Sequence, residues 1–299
     1  MQFNNESATI HAMALESLLG SWLPGGITDV FGMAMKSSEA TALRNNVGAQ
    51  FPSLRHKNGY KVTAKTAADF VDLPFQVSDR AQFRIIHNVA SSHHTDLGSV
   101  GGVGCAIGHL LMWKEAALRK KGWTVIFEWD CVLDSDAATR VVKEIVAGPS
   151  PGENVGMLRM MLGTTVPTEN VAADQPHFSR NLHSQCGLIM YIISNKWANW
   201  YVKRLSVVDM HIDWALNFTA LLNGPEMWFL RPKIGFCGAH TSGTFAGVNM
   251  RLLLPDTLKA SNAVCLTMII TGGFFFIAFL VTLGFCIMYS RRTATGSGK

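Results

Sequence analysis

The run "TVIF", Thr124–Phe127, is apolar without polar alternation, the pattern of a strand covered on both sheet faces. A helix is predicted just before it. In "CAIGHLLMWKEAALRKKG", Ile107, Leu110, Leu111, Ala117 and Leu118 recur at spacings of three and four and share one face. Lys114, Arg119 and Lys120 fall toward the other face or the end, where basic residues suit the helix dipole, and Gly122 suits the stop. Upstream, "ITDVFGMAM" (Ile27–Met35) predicts a first strand, and "SSEATALRNNV" predicts a short helix capped by Ser37 or Ser38. Residues 50–80 are mixed, with turns marked by Pro52, Gly59 and Pro74. "FRIIHNVA" reads as a strand and "SSHHTDLGSVGGVG" as a glycine-rich loop. Downstream, "CGLIMYIIS" is an apolar strand leading into a helix at "NKWANWYVKRL". Strands alternating with helices predict an α/β fold with a largely parallel sheet.

The longest apolar run lies near the end. "VCLTMIITGGFFFIAFLVTLGFCIMY" sits in a stretch from Ala260 to Ser290 that has no charged residue. About 20 apolar residues cross a bilayer as a helix, so the expected span is 263–289. A short basic tail, 290–299, follows it. The arginines Arg291 and Arg292 favour a cytosolic tail, which would put the bulk of the chain in a lumen or outside. Residues 1–26, read as a leader segment, have neither a basic start nor a clean apolar core, so no signal peptide is evident. Without one, insertion after synthesis would leave the bulk in the cytosol, and both orientations stand. The sequons at Asn5 and Asn217 favour the lumen faintly. The expected location is ER, Golgi or another endomembrane, viral or host.

Composition agrees with a membrane segment: 48% of residues are hydrophobic and 16% charged, below the usual share of about 25%. Net charge is +5, yet Lys and Arg are scattered, which argues against a nucleic-acid partner. No CxxC pair occurs among the six cysteines, so a zinc site of that type is not indicated. A Cys186–Cys237 bridge would suit an oxidising lumen.

Candidate chemistry gathers where the strand "TVIF" ends. Glu128 and Asp130 follow it, and residues two apart in an extended segment point the same way. Two hard oxygen donors at one point suit Mg²⁺ or Mn²⁺, while a solvated acidic turn is the plain alternative. Ligands of open α/β sheets bind beyond the carboxyl ends of strands, which is where these acids fall.

"GGVGCAIGHLLMWKEA" followed by "WTVIFEWDCVL" resembles glycosyltransferase family 25, the lipopolysaccharide-type and collagen-type galactosyltransferases. Gly101, Gly104, Cys105, His109 and Trp113 match the family's helix start, and Glu128 and Asp130 match the outer acids of its Glu-Asp-Asp strand end. "GLIMYIISNKWANWYVKRL" is similar to its Tyr-x-Ile-Ser strand and helix, and "MHIDWAL" to its downstream acid, at Asp213. "DVFGMAMKSSEATALR" is loosely like its opening strand and Arg-bearing turn, with Arg44 at the basic position. The likeness covers about residues 27–240, within a domain placed at 27–258. Two departures stand out, Trp129 for the middle acid and Gly108 for the serine before the histidine.

The resemblance implies a GT-A-like, Rossmann-type mixed sheet flanked by helices. It also implies a UDP-sugar donor such as UDP-galactose or UDP-glucose, inversion, and a glycan or protein hydroxyl as acceptor. Glu128 and Asp130 would hold Mn²⁺ or Mg²⁺, and Gly101, Gly104, His109 and Arg44 would line the nucleotide. Asp213 is the candidate base, with a helix-capping Asp as its alternative. Trp129 equally suits an inactive copy with a binding or structural role. His93, His94 and His240 are lesser candidates, and His109 also suits a structural hydrogen bond. Trp197, Trp200 and Tyr201 suit core packing.

Overall fold

In a computed structural model of the chain, alternating strand faces build two apolar cores, one on each side of a central sheet. The residues described are 13–89, 96–161, 171–172, 175–180, 187–219, 222 and 224–238, all within a unit bounded by Met1 and Thr244. Strand β1 is Ile27–Ala34, β2 Arg55–Asn58 and β3 Gln76–Val77. Next come β4, Trp123–Glu128, and β5, Cys131–Leu133, then β6, Val155–Met161. Strands β7, β8 and β9 are Val171–Ala172, Gln175–Ser179 and Met190–Ser194. Finally, β10 is Val207–Val208, β11 Glu226–Leu230 and β12 Gly235–Cys237. The main sheet runs β2-β1-β4-β9-β6-β11-β8-β7, and β3–β10 and β5–β12 form separate ribbons.

The sheet is mixed rather than largely parallel. β1 pairs parallel with β2 and β4, and β11 with β6, but β9 runs antiparallel to both β4 and β6. β8 is antiparallel to β11. Apolar content on both faces shows that a strand is covered. It carries no information on direction, which is why the alternation of elements misled.

Helices α1 (Leu15–Trp22), α2 (Ser37–Val47) and α5 (Ser135–Val146) pack on one face with Val125, Phe127, Leu158 and Ile192. On the opposite face lie α3 (Asp79–Ile86), α4 (Val100–Ala117), α6 (Asn195–Arg204) and α7 (Ile212–Thr219). They cover Ile126, Met157, Tyr191 and Ile193.

Several local expectations are corrected. The first half of "FRIIHNVA", Phe83 to Ile86, belongs to α3, because the Ser78 side chain accepts from Ala81 N–H and starts a helix that the β-branched residues then continue. The loop expected at 91–104 is helical from Val100, with Ser99 accepting from Gly102 N–H at 3.1 Å. Helix α4 is buried on most of its circumference, whereas Leu118, placed on its apolar face, is 77% exposed beyond its end. Neither Ser37 nor Ser38 caps α2. Glu39 accepts from Met35 and Lys36 N–H instead. The stretch read as a leader carries α1, whose Leu15 and Leu19 are fully buried.

Trp197, Trp200 and Tyr201 do pack on the core. Asn217, offered as a sequon, lies on α7, buried, and accepts from Arg159 at 2.9 Å. Its side-chain oxygen is thus held inside the fold by a buried arginine. Asn5, Cys186, the apolar run 263–289 and the tail 290–299 lie outside the described residues. Among the described residues no helix is long and apolar enough to cross a membrane.

Candidate site at the carboxyl end of β4

Strand alternation decides where Glu128 goes. Val125 and Phe127 face α1, α2 and α5, so Thr124, Ile126 and Glu128 face the α4 layer. Glu128 Oε1 there meets His109 Nε2 at 3.0 Å. His109 is fully buried, and its Nδ1 lies 2.8 Å from the Tyr191 hydroxyl. The Trp113 indole N–H donates to the same hydroxyl at 2.7 Å. Register explains the meeting: Ile126 pairs with Tyr191 across the β4–β9 ladder, and His109 and Trp113 lie four apart on α4. Burial pushes the Tyr191 hydroxyl well above its ordinary pKa, with Glu128 adding to the shift against the opposing Trp113 bond, so it stays protonated.

Cys105, one helical turn before His109, completes a group. Ligand atoms of Cys105, His109 and Glu128 all lie within 4.8 Å of one another, a separation that could hold a transition metal. Burial, then the charges of Glu128, Asp213 and Asp130, pushes the Cys105 thiol up, so its thiolate is disfavoured.

The alternation behind the Glu128–Asp130 pairing stops one residue too soon. Strand β4 ends at Glu128, and Trp129 and Asp130 form a turn into β5. Asp130 is buried, and its Oδ2 accepts from the Cys237 thiol at 2.9 Å. Its Oδ1 is buried with no hydrogen-bond partner among the described residues. Burial raises the Asp130 carboxyl above its ordinary value, and the nearby Glu128 charge adds to the rise.

The other sequence candidates are more widely placed. Asp213 lies in the first turn of α7, where Oδ2 accepts from Gly187 N–H at 2.7 Å and Oδ1 from Trp214 N–H at 2.9 Å. This arrangement pins the segment entering β9. Arg44 is exposed on α2 and donates to the Leu54 carbonyl at 2.9 Å. Gly101 is exposed in the first turn of α4. Gly104 is buried where a Cβ would collide with the Tyr60 carbonyl oxygen. That glycine lets another backbone segment approach the helix. His93, His94 and His240 lie outside the described residues.

Two shallow cavities among the described residues, ≈ 160 Å³ beside Val208 and Ile212 and ≈ 390 Å³ beside Phe70 and Gln82, are lined by neither acid. Glu128 nonetheless keeps 22% of its side chain exposed.

Sequence reasoning passed over Arg159, took Tyr191 only as part of a Tyr-x-Ile-Ser likeness, and offered Cys237 only for a bridge to Cys186, whereas the Cys237 thiol donates to Asp130. A hydroxyl in an otherwise aliphatic strand opposite a helical His and Trp was a usable signal for Tyr191. A lone charge in "VGMLRMM" was one for Arg159, which is fully buried and donates to Gly187 O at 2.6 Å. Nothing local marks Cys237, since its approach depends on the β5–β12 ribbon.

No protein-family model matches the chain, and no curated protein matches it. The class defined by fold and site is therefore an α/β protein with a mixed, helix-flanked sheet and acids at the carboxyl end of a central strand.

Proposed function

We propose that the chain is a membrane-anchored glycosyltransferase of the family 25 type, transferring galactose or glucose from a UDP-sugar to a glycan or protein hydroxyl with inversion. The observation that carries this reading is the position of Glu128 and Asp130. They follow the carboxyl end of β4, and β1 has β2 on its other side, so the chain's progress across the sheet reverses between β1 and β4. That reversal is where open α/β sheets form their ligand crevice.

The residues suit a hard divalent cation, Mn²⁺ or Mg²⁺. Asp130 offers a buried oxygen without a partner, beside a second carboxylate whose charge it feels. A cation held by Glu128 and Asp130 would supply Lewis-acid neutralisation of the departing diphosphate. In the transfer, the acceptor oxygen bonds to the anomeric carbon as the bond to the diphosphate breaks. Asp213 is assigned the acceptor's proton, with its orientation set by two backbone N–H bonds.

A second reading, an inactive copy that keeps a binding role, is favoured by Trp129 in place of an acid. It is favoured too by the bonds that already occupy Glu128 Oε1 and Asp130 Oδ2.

The test uses the full chain in detergent with UDP-galactose or UDP-glucose and Mn²⁺. Expected are UDP release and Mn²⁺-dependent UDP binding, both lost in the Glu128→Gln/Asp130→Asn variant. Binding without release selects the inactive copy, and neither release nor metal-dependent binding overturns both.

A further inference from the structure

The hydrogen bonds around His109 can be assigned donor by donor, because two of the partners leave no choice. The Trp113 indole nitrogen only donates, so the Tyr191 oxygen accepts from it. Tyr191 is fully buried and protonated, so its own proton needs an acceptor. Among the described residues, the one acceptor placed for it is His109 Nδ1, at 2.8 Å. A neutral imidazole that accepts at Nδ1 carries its proton on Nε2, and Nε2 faces Glu128 Oε1 at 3.0 Å.

We propose that Trp113, Tyr191 and His109 form a one-way donor chain that ends on Glu128, making His109 the positioning residue for that carboxylate. The chain fixes His109 as the Nε2–H tautomer and engages Oε1. Oε2, which has no bond to a described residue, is left as the oxygen offered to a ligand. The arrangement also settles the cluster with Cys105. A metal on Nε2 would force the proton to Nδ1. The Tyr191 oxygen would then receive two donors while its own buried proton lost its acceptor. The geometry thus favours an orienting bond over a Cys105–His109–Glu128 metal site. The consequence for ligand binding rests on the function proposed above; the tautomer does not.

The experiment is ¹⁵N NMR of the full chain in detergent with labelled histidine, the His109 signals being assigned by their loss in His109→Gln. At neutral pH, Nε2 is expected in the protonated range and Nδ1 in the bare, acceptor range, and Tyr191→Phe should remove that preference. The opposite tautomer, a doubly protonated ring, or a His109 shift on adding Zn²⁺ alone would overturn the proposal. A second readout is Mn²⁺ affinity, measured by calorimetry. Gln places an N–H near the position of Nε2, so His109→Gln should stay near the parent. His109→Leu should weaken binding about 10-fold or more. Equal losses in a folded Gln and Leu variant would overturn the positioning role. Absence of Mn²⁺ binding in the parent would sink the functional reading while leaving the tautomer result standing.

Discussion

Helix α4 serves two acids in opposite ways. Just past its end, Arg119 grips Asp29 through Nε and a second guanidinium nitrogen at 2.8 and 3.1 Å, and Arg55 closes on the same carboxylate. Asp29 is only 3% exposed, and both its oxygens are met by permanent cations. At the helix's other half, Glu128 receives a histidine ring, and the neighbouring Asp130 has a thiol on one oxygen and no described residue bonded to the other. Both regions are built on β1 and β4. One neutralises its buried negative charge from within the fold. The other gathers negative charge and supplies no Lys or Arg to Glu128 or Asp130 among the described residues. Asp29 and Asp130, both buried, differ in that completeness rather than in depth of burial.

The largest effect should come from breaking the complete side. Replacing both Arg55 and Arg119 by Ala leaves Asp29 buried without a cation, a change that costs about 3–5 kcal/mol. Urea unfolding measures it. Each arginine is about half exposed and can relax into water alone, so the loss arises at the carboxylate. A loss below about 1 kcal/mol would mean Asp29 is solvated, and the contrast with Asp130 would fall.

An intermediate effect tests what the glycines of α4 are for. Gly104→Ala drives a methyl group against the Tyr60 carbonyl, and overpacking of this kind costs about 1–3 kcal/mol. Thermal unfolding should show that loss, with UDP affinity per folded molecule unchanged. Unchanged stability with weakened UDP binding would instead make this glycine part of a phosphate cradle.

Much of the frame was legible in the sequence, for physical reasons that also mark the limit. β1, β4, β9 and α6 announce themselves because continuous apolar runs and a helical period survive any tertiary context. Strand direction was hidden, since β9 has the same apolar face content whichever way it runs. Helix α3 was missed because its start is set by the bond that Ser78 accepts from Ala81 N–H, which outweighs β-branched composition. At the site, Glu128 and His109 were each visible as residue types. Their mutual contact follows from register between α4 and β4, a long-range relation. The thiol on Asp130 was out of reach for the same reason, with 107 positions separating it from Cys237.

The smallest effect in stability is the sharpest on the comparison. Asp130→Asn removes a carboxyl whose pKa is raised by burial and by the charge on Glu128. A group with a raised folded-state value gives stability that is complete below the unfolded value, near 3.8, and lost as pH rises through the folded one. The parent should therefore lose stability across that window, while the Asn variant lacks this component. At neutral pH and without added metal, the variant should lie within about 1 kcal/mol of the parent, because the bond lost is a weak one from a thiol. Differential scanning calorimetry from pH 4 to 8 reads the two slopes, and parallel slopes would show that Asp130 is not under electrostatic stress. Mn²⁺ should then separate the two. A ligand at about 100 times its Kd stabilises the parent by about 2.7 kcal/mol, and the variant, lacking one oxygen donor, should gain far less. Asp29→Asn keeps Glu128 and Asp130, so its gain from Mn²⁺ should match the parent's, and that match would complete the contrast, since Asp29 already has its cations.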